Sequence, residues 1–145
     1  MTEIIQLSAG LIGSLCFGVL FNLRGKRLPA AAFGGLLSWG LFLLLSNVIP
    51  NEPVNYFIVA AAASLYSEIM ARVLKTPAAP IVTTSLVPLI PGGSLYYTMS
   101  YAFESDFGKF LEKAVSTLKL ASALALGIIA VTALSHVLFK KGCTK

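Results

Sequence analysis

Charge is what this sequence has least of. Asp, Glu, Lys and Arg make up 12% of its 145 residues, against about 25% in a soluble domain. Hydrophobic types reach 57% and the mean hydropathy is +0.83, which excludes an ordinary water-soluble fold and requires an integral membrane protein of one domain. Cysteine is nearly absent. Cys16 lies in an apolar run and Cys143 in a basic tail, with no motif spacing between them, so no disulfide framework is expected. They read as a small buried residue and a free tail thiol. Histidine occurs once, as His136 inside the last apolar run, where it is expected to pack or hydrogen-bond. A Ser-His-Asp set and a metal-ligand cluster are therefore excluded. The Pro91-Gly92-Gly93-Ser94 turn lacks the lysine and the spacing of a phosphate loop, which argues against ATP-driven chemistry. No cofactor is expected. The N-terminus lacks a basic n-region and a small-x-small cleavage site, so it reads as a retained first span and not as a signal peptide.

The formal net charge is +5, yet the basic residues form short clusters at the ends of apolar runs. No basic stripe interleaved with aromatics is present, so a nucleic-acid partner is not expected. The clusters act as topology signals in a lipid bilayer.

Five apolar runs are long enough to cross, at about 4–23, 28–48, 54–75, 81–102 and 120–139. The expected fold is therefore an all-α membrane bundle of five spans. In the first run Gly10, Ser14 and Gly18 form a small-residue face, and Ala30, Gly34 and Ser38 form a second one. Such faces let helices approach closely. Pro29 suits a first helical turn, and Trp39, mid-span, is expected to pack between helices. The Pro50–Pro53 connector has turn chemistry. Thr76 and Pro77 read as an N-cap and a first-turn proline, and Ser105 or Asp106 as the cap of the last helix. Residues 107–119 form either an interfacial helix or an outer extension of the fifth span.

With five spans, Arg24, Lys26, Arg27, Arg72, Lys75, Lys140, Lys141 and Lys145 fall on one side. Glu3, Glu52, Glu104, Asp106 and Glu112 fall on the other, with Lys109, Lys113 and Lys119 opposing the bias. The positive-inside rule then places the N-terminus outside and the C-terminus in the cytoplasm.

Two features carry functional expectations. The fourth run is broken by Pro88, Pro91, Gly92 and Gly93. Counted from Ile81 at about 1.5 Å per residue, Pro91 lies roughly 15 Å along, near the middle of a hydrocarbon core of about 30 Å. Broken helices at that depth hold substrates in secondary transporters, although a kink can also serve packing alone. Ser94 is placed to cap the restarted half-helix, whose free amides suit a carboxylate. The hydroxyls of Thr83, Thr84, Ser85, Ser94, Tyr96, Tyr97, Thr98, Ser100 and Tyr101 either bind substrate or join helices. In the third run Ala60, Ser64, Glu68 and Arg72 share one face, and Glu68 and Arg72 are spaced to pair. Glu68 lies roughly 10 Å inside the cytoplasmic end. The pair is either an anchor with its counter-ion or part of a polar path.

The run Thr76-Pro77, Leu86-Val87-Pro88-Leu89-Ile90-Pro91-Gly92-Gly93-Ser94 and Tyr96 to Met99, with the basic loop after Phe21-Asn22, resembles the membrane half of the threonine/serine exporter family. The resemblance implies secondary export of small polar metabolites, by ten spans in two sets of five. This chain corresponds to the C-terminal set. A separate complementary membrane subunit is thereby implied, with a homo-oligomer as the other open arrangement, in a bacterial inner (plasma) membrane. Threonine, serine and other small carboxylates fit equally well. The candidate substrate-binding residues are Thr84, Pro88, Pro91, Gly92, Gly93, Ser94, Tyr97, Glu68 and Arg72. A non-transporting scaffold subunit is the alternative from another class, and an intramembrane enzyme a distant third.

Overall fold

The computed structural model describes residues 2–104 and 107–140, leaving the side chains of 2, 3, 136 and 138–140 undescribed. Ser105, Asp106, Lys141, Cys143 and Lys145, and the side chains of Glu3, His136 and Lys140, thus lie outside the described residues. Within them the chain folds into α1 (Thr2–Leu20), α2 (Arg27–Ser46), α3 (Glu52–Val73), α4 (Ala78–Leu86), a 3-10 turn (Val87–Leu89), α5 (Gly92–Phe103) and α6 (Phe107–Lys140).

Three of these helices, α2, α3 and α6, are long and apolar enough to cross a membrane, and a fourth crossing is made if α4 to α5 is one bent span. The expected count of five is therefore not met on length and composition alone. The apolar part of α1, Ile4–Leu20, falls short of the roughly 20 residues that a span needs. Its early stop has a local cause. Asn22 takes a left-handed φ of 57°, and the Leu23 amide bonds Gly18 O at 2.9 Å while that of Asn22 bonds Val19 O at 2.9 Å. This is a Schellman end, in which a left-handed residue ties off the last carbonyls. The end of α3 repeats it: Lys75 has φ 48°, with Thr76 N–H to Ala71 O at 2.9 Å and Lys75 N–H to Arg72 O at 3.2 Å. Thr76 thus closes α3 and does not cap α4, whose cap position is Pro77.

Of the two readings of residues 107–119, the extension of the fifth run holds: they are the first part of α6, which runs unbroken for 34 residues, about 51 Å. No proline interrupts it. Cys16 is exposed on α1 and not buried, because the buried face of that helix is Gly10, Ser14 and Gly18.

Those small residues behave as their spacing predicts. α2 is the central helix, packed on α1, α3 and α4. Gly35 of α2 meets the Ser14 side chain, and Gly34 meets Ser85 of α4. Ser38 donates to Ser85 O at 2.7 Å, satisfying a carbonyl just before the proline turn. Trp39 lies between helices, its ring 5.3 Å from Phe42 and its side chain against Gly10. On the other side, Gly127 lets α6 approach the α3 backbone. A Cβ there would stand 2.7 Å from Phe57 O and 2.9 Å from Ala60 Cβ. The core joins Val59, Ala60 and Ala63 of α3 to Leu86 and Leu89 at the end of α4 and its turn. In contrast, among the described residues α5 packs mainly on α6 and has no buried residue.

Candidate functional site

Pro88 and Pro91 lack the amide that an uninterrupted helix would need, so α4 tightens into the 3-10 turn and the chain restarts at Gly92. The axes of the two pieces differ by 61°. Pro88 packs toward Gly10, 3.8 Å from where a Cβ on that glycine would stand. Gly10 is ten residues from the α1 end at Leu20, about 15 Å, which puts the break at mid-depth of the bundle. At the restart, the Gly92 amide bonds Ile90 O at 2.7 Å and that of Leu95 bonds Pro91 O at 3.1 Å. The amides of Gly93 and Ser94 have no acceptor among the described residues. Ser94 occupies the third helical position, and the cap position belongs to Pro91, without a side-chain hydrogen bond. Gly92 and Gly93 are exposed, with no atom within 4 Å of a Cβ built on either.

A cleft of about 560 Å³ runs from this break toward the C-terminal end of α3. α3 contributes Glu68, α4 contributes Ala78, Ala79, Val82, Thr83 and Leu86, Ile90 closes the end at the break, and α6 contributes Leu124, Ile128 and Thr132. Glu68 and Arg72 pair as their spacing predicts, Oε2 to Nη2 at 3.4 Å, with side-chain exposures of 16% and 39%. A surface ion pair of that length contributes about 1 kcal/mol or less. Its carboxylate, the more buried partner, is the end that enters the cleft.

The structure does not gather all the candidate residues in one place. Glu68 lines the cleft, with Arg72 at its rim. Thr84, one position from Thr83, faces the opposite way: it is fully buried, meets Gly18 of α1 and donates to Pro80 O at 2.6 Å. Pro88 lines a second space of about 330 Å³ shared with Gln6, Gly13 and Trp39. Pro91, Gly92, Gly93 and Ser94 form the open restart of α5. Tyr97 is exposed on α5, edge-on to Tyr96 at 5.6 Å. The cleft also brings in Thr132, which the sequence reading passed over. The available signal was a hydroxyl in the otherwise apolar middle of α6, at helical spacing from Leu124 and Ile128.

No metal-holding group of His, Cys, Asp and Glu occurs among the described residues. The arrangement that remains is a broken helix at mid-depth beside an apolar cleft with one carboxylate, a geometry suited to passage of a small solute. No curated protein and no solved structure matches the chain. Residues 6–134 match the family described as Threonine/Serine exporter, ThrE. Together with its membrane-capable helices, this match makes the chain a membrane protein of a transport family, and it belongs to the threonine/serine exporter family.

Proposed function

We propose that this chain is one membrane subunit of a secondary exporter of small polar metabolites, either threonine/serine-like amino acids or small carboxylates, and that a complementary membrane subunit completes it. The observation that carries this reading is the cleft from Glu68 to Ile90, which joins an acidic side chain near the inner end to a helix break at mid-depth. In this reading Glu68 and Arg72 act at the inner mouth. Pro88, Pro91, Gly92, Gly93 and Ser94 keep the backbone open, and Thr84 and Tyr97 flank the break.

Five spans, with the N-terminus outside and the C-terminus cytoplasmic in a bacterial inner membrane, are part of the proposal. A 61° bend leaves α5 travelling onward, with about half its length along the α4 direction, where a re-entrant hairpin needs more than a right angle. α4 with its turn contributes about 18 Å and α5 about 9 Å more, close to the 30 Å core. α6 then returns along α5, with Thr98 and Thr117 hydroxyls 3.2 Å apart.

A partner is supported by what α5 leaves bare. In hydrocarbon an unsatisfied amide costs several kcal/mol, so backbone breaks are covered by protein or face water. The amides of Gly93 and Ser94 find no acceptor among the described residues. A scaffold role is the second reading, favoured by the small-residue contacts of α1, α2 and α4, which serve packing without any passage.

Efflux separates the two. Cells loaded with threonine are expected to export it when this chain and a complementary subunit are present together, and not with either alone. Efflux that is unchanged by adding this chain returns it to the scaffold reading.

A further inference from the structure

The polar side chains of the cleft share one property. Thr83 donates its hydroxyl hydrogen to Ala79 O at 2.9 Å, and Thr132 donates its own to Ile128 O at 2.9 Å. Each hydroxyl therefore spends its single hydrogen inside its own helix and turns only lone pairs outward. Glu68 is the third polar side chain of the lining. An ionised carboxylate only accepts, and of its two oxygens Oε2 meets Arg72, while Oε1 has no partner among the described residues. All other side chains of the lining are apolar. The polar side chains of this cleft thus offer acceptors and one negative charge, and no donor. A ligand whose leading group is a carboxylate would bring more acceptors to that wall. An ammonium brings three donors and the opposite charge, and apolar surroundings strengthen its attraction to a carboxylate.

We propose that the α3/α4/α6 cleft is a binding site for a ligand's ammonium group. Glu68 is the counter-charge, and the Thr83 and Thr132 oxygens are further acceptors. The inference rests on the exporter reading and narrows its substrate to amines. It orients the solute in the cleft, with the ammonium leading toward Glu68 and the Thr83 and Thr132 oxygens.

The test reads Glu68 directly, in the full chain in lipid nanodiscs. A hydrophobic carbodiimide is reacted with the protein, and modification of Glu68 is followed by mass spectrometry. Three probes are compared: threonine, 1-amino-2-propanol (which lacks the carboxylate) and 3-hydroxybutyrate (which lacks the amine). Threonine and 1-amino-2-propanol are expected to slow the modification, and 3-hydroxybutyrate and sodium chloride to leave it unchanged. The isosteric variants Thr83→Val and Thr132→Val should each require roughly tenfold more threonine for the same protection, the effect of losing one hydrogen bond to a charged group. Protection by 3-hydroxybutyrate equal to that by threonine would overturn the proposal. So would protection by sodium alone, unaltered protection in both threonine variants, or failure of the reagent to reach Glu68. Threonine efflux in cells without threonine protection of Glu68 would remove this site and leave the exporter reading standing. Protection without efflux would keep the site and remove the exporter reading.

Discussion

At the scale of the residue, this bundle is held by what its glycines and serines do not occupy. Without a hydrophobic drive between helices in lipid, close packing and hydrogen bonds join them, and Gly34, Gly35 and Gly127 are the points of closest approach. The contact at Gly127 is with backbone, since Phe57 O lies 2.7 Å from a built Cβ, so no side chain is free to turn aside. Gly127→Ala should force α3 and α6 apart and lower thermal stability in detergent by about 1–3 kcal/mol, the usual cost of overpacking. Gly13→Ala is the control: nothing lies within 4 Å of its Cβ, and its melting temperature should equal wild type. Equal stability of both variants would mean that α6 does not seat on α3 at this glycine. The spacing of Gly10, Ser14 and Gly18 made their face readable in the sequence, because a four-residue period places side chains together whatever the partner. The direction of Thr84 was not readable. Thr83 and Thr84 are adjacent, and only the rotation of α4 against α1 and α2 decides which of them is packed and which lines the cleft.

At the scale of the element, the proline and glycine break was legible as a break, since missing amides act locally. Its angle was not, because 61° is set by what α5 packs against, and that is mainly α6. The mixed charge of 107–119 left the continuity of α6 open for a related reason. Those charges suggest an interface, yet Lys109 sits 5.7 Å above the Tyr101 ring and the segment pairs with α5. The open restart of α5 carries a prediction. The double change Gly92→Leu with Gly93→Leu meets no atom within 4 Å at either Cβ, so insertion and melting temperature of the chain should match wild type. If this surface is covered by a partner or kept open for solute, efflux per inserted molecule should fall by tenfold or more. Full efflux from the double variant would assign the break to packing.

At the scale of the whole molecule, the apolar character and the family were legible in composition and in the central proline motif. The number of crossings was not, because α1 is short and the fourth run is bent. Topology reporters address this. A reporter fused after α6 should be active in the cytoplasm and one in the connector between α2 and α3 outside it. A fusion after α6 that is active only outside would make α4 to α5 re-entrant and remove the five-span bundle. The central claim is that solute passes along the cleft that Glu68 enters. It is tested most directly by threonine efflux from cells carrying this chain with its complementary subunit, comparing wild type and Glu68→Gln per molecule of inserted protein. Glutamine keeps the shape and removes the charge, so the variant should be present at normal levels and export at least tenfold more slowly. An unchanged rate at equal abundance would contradict the account.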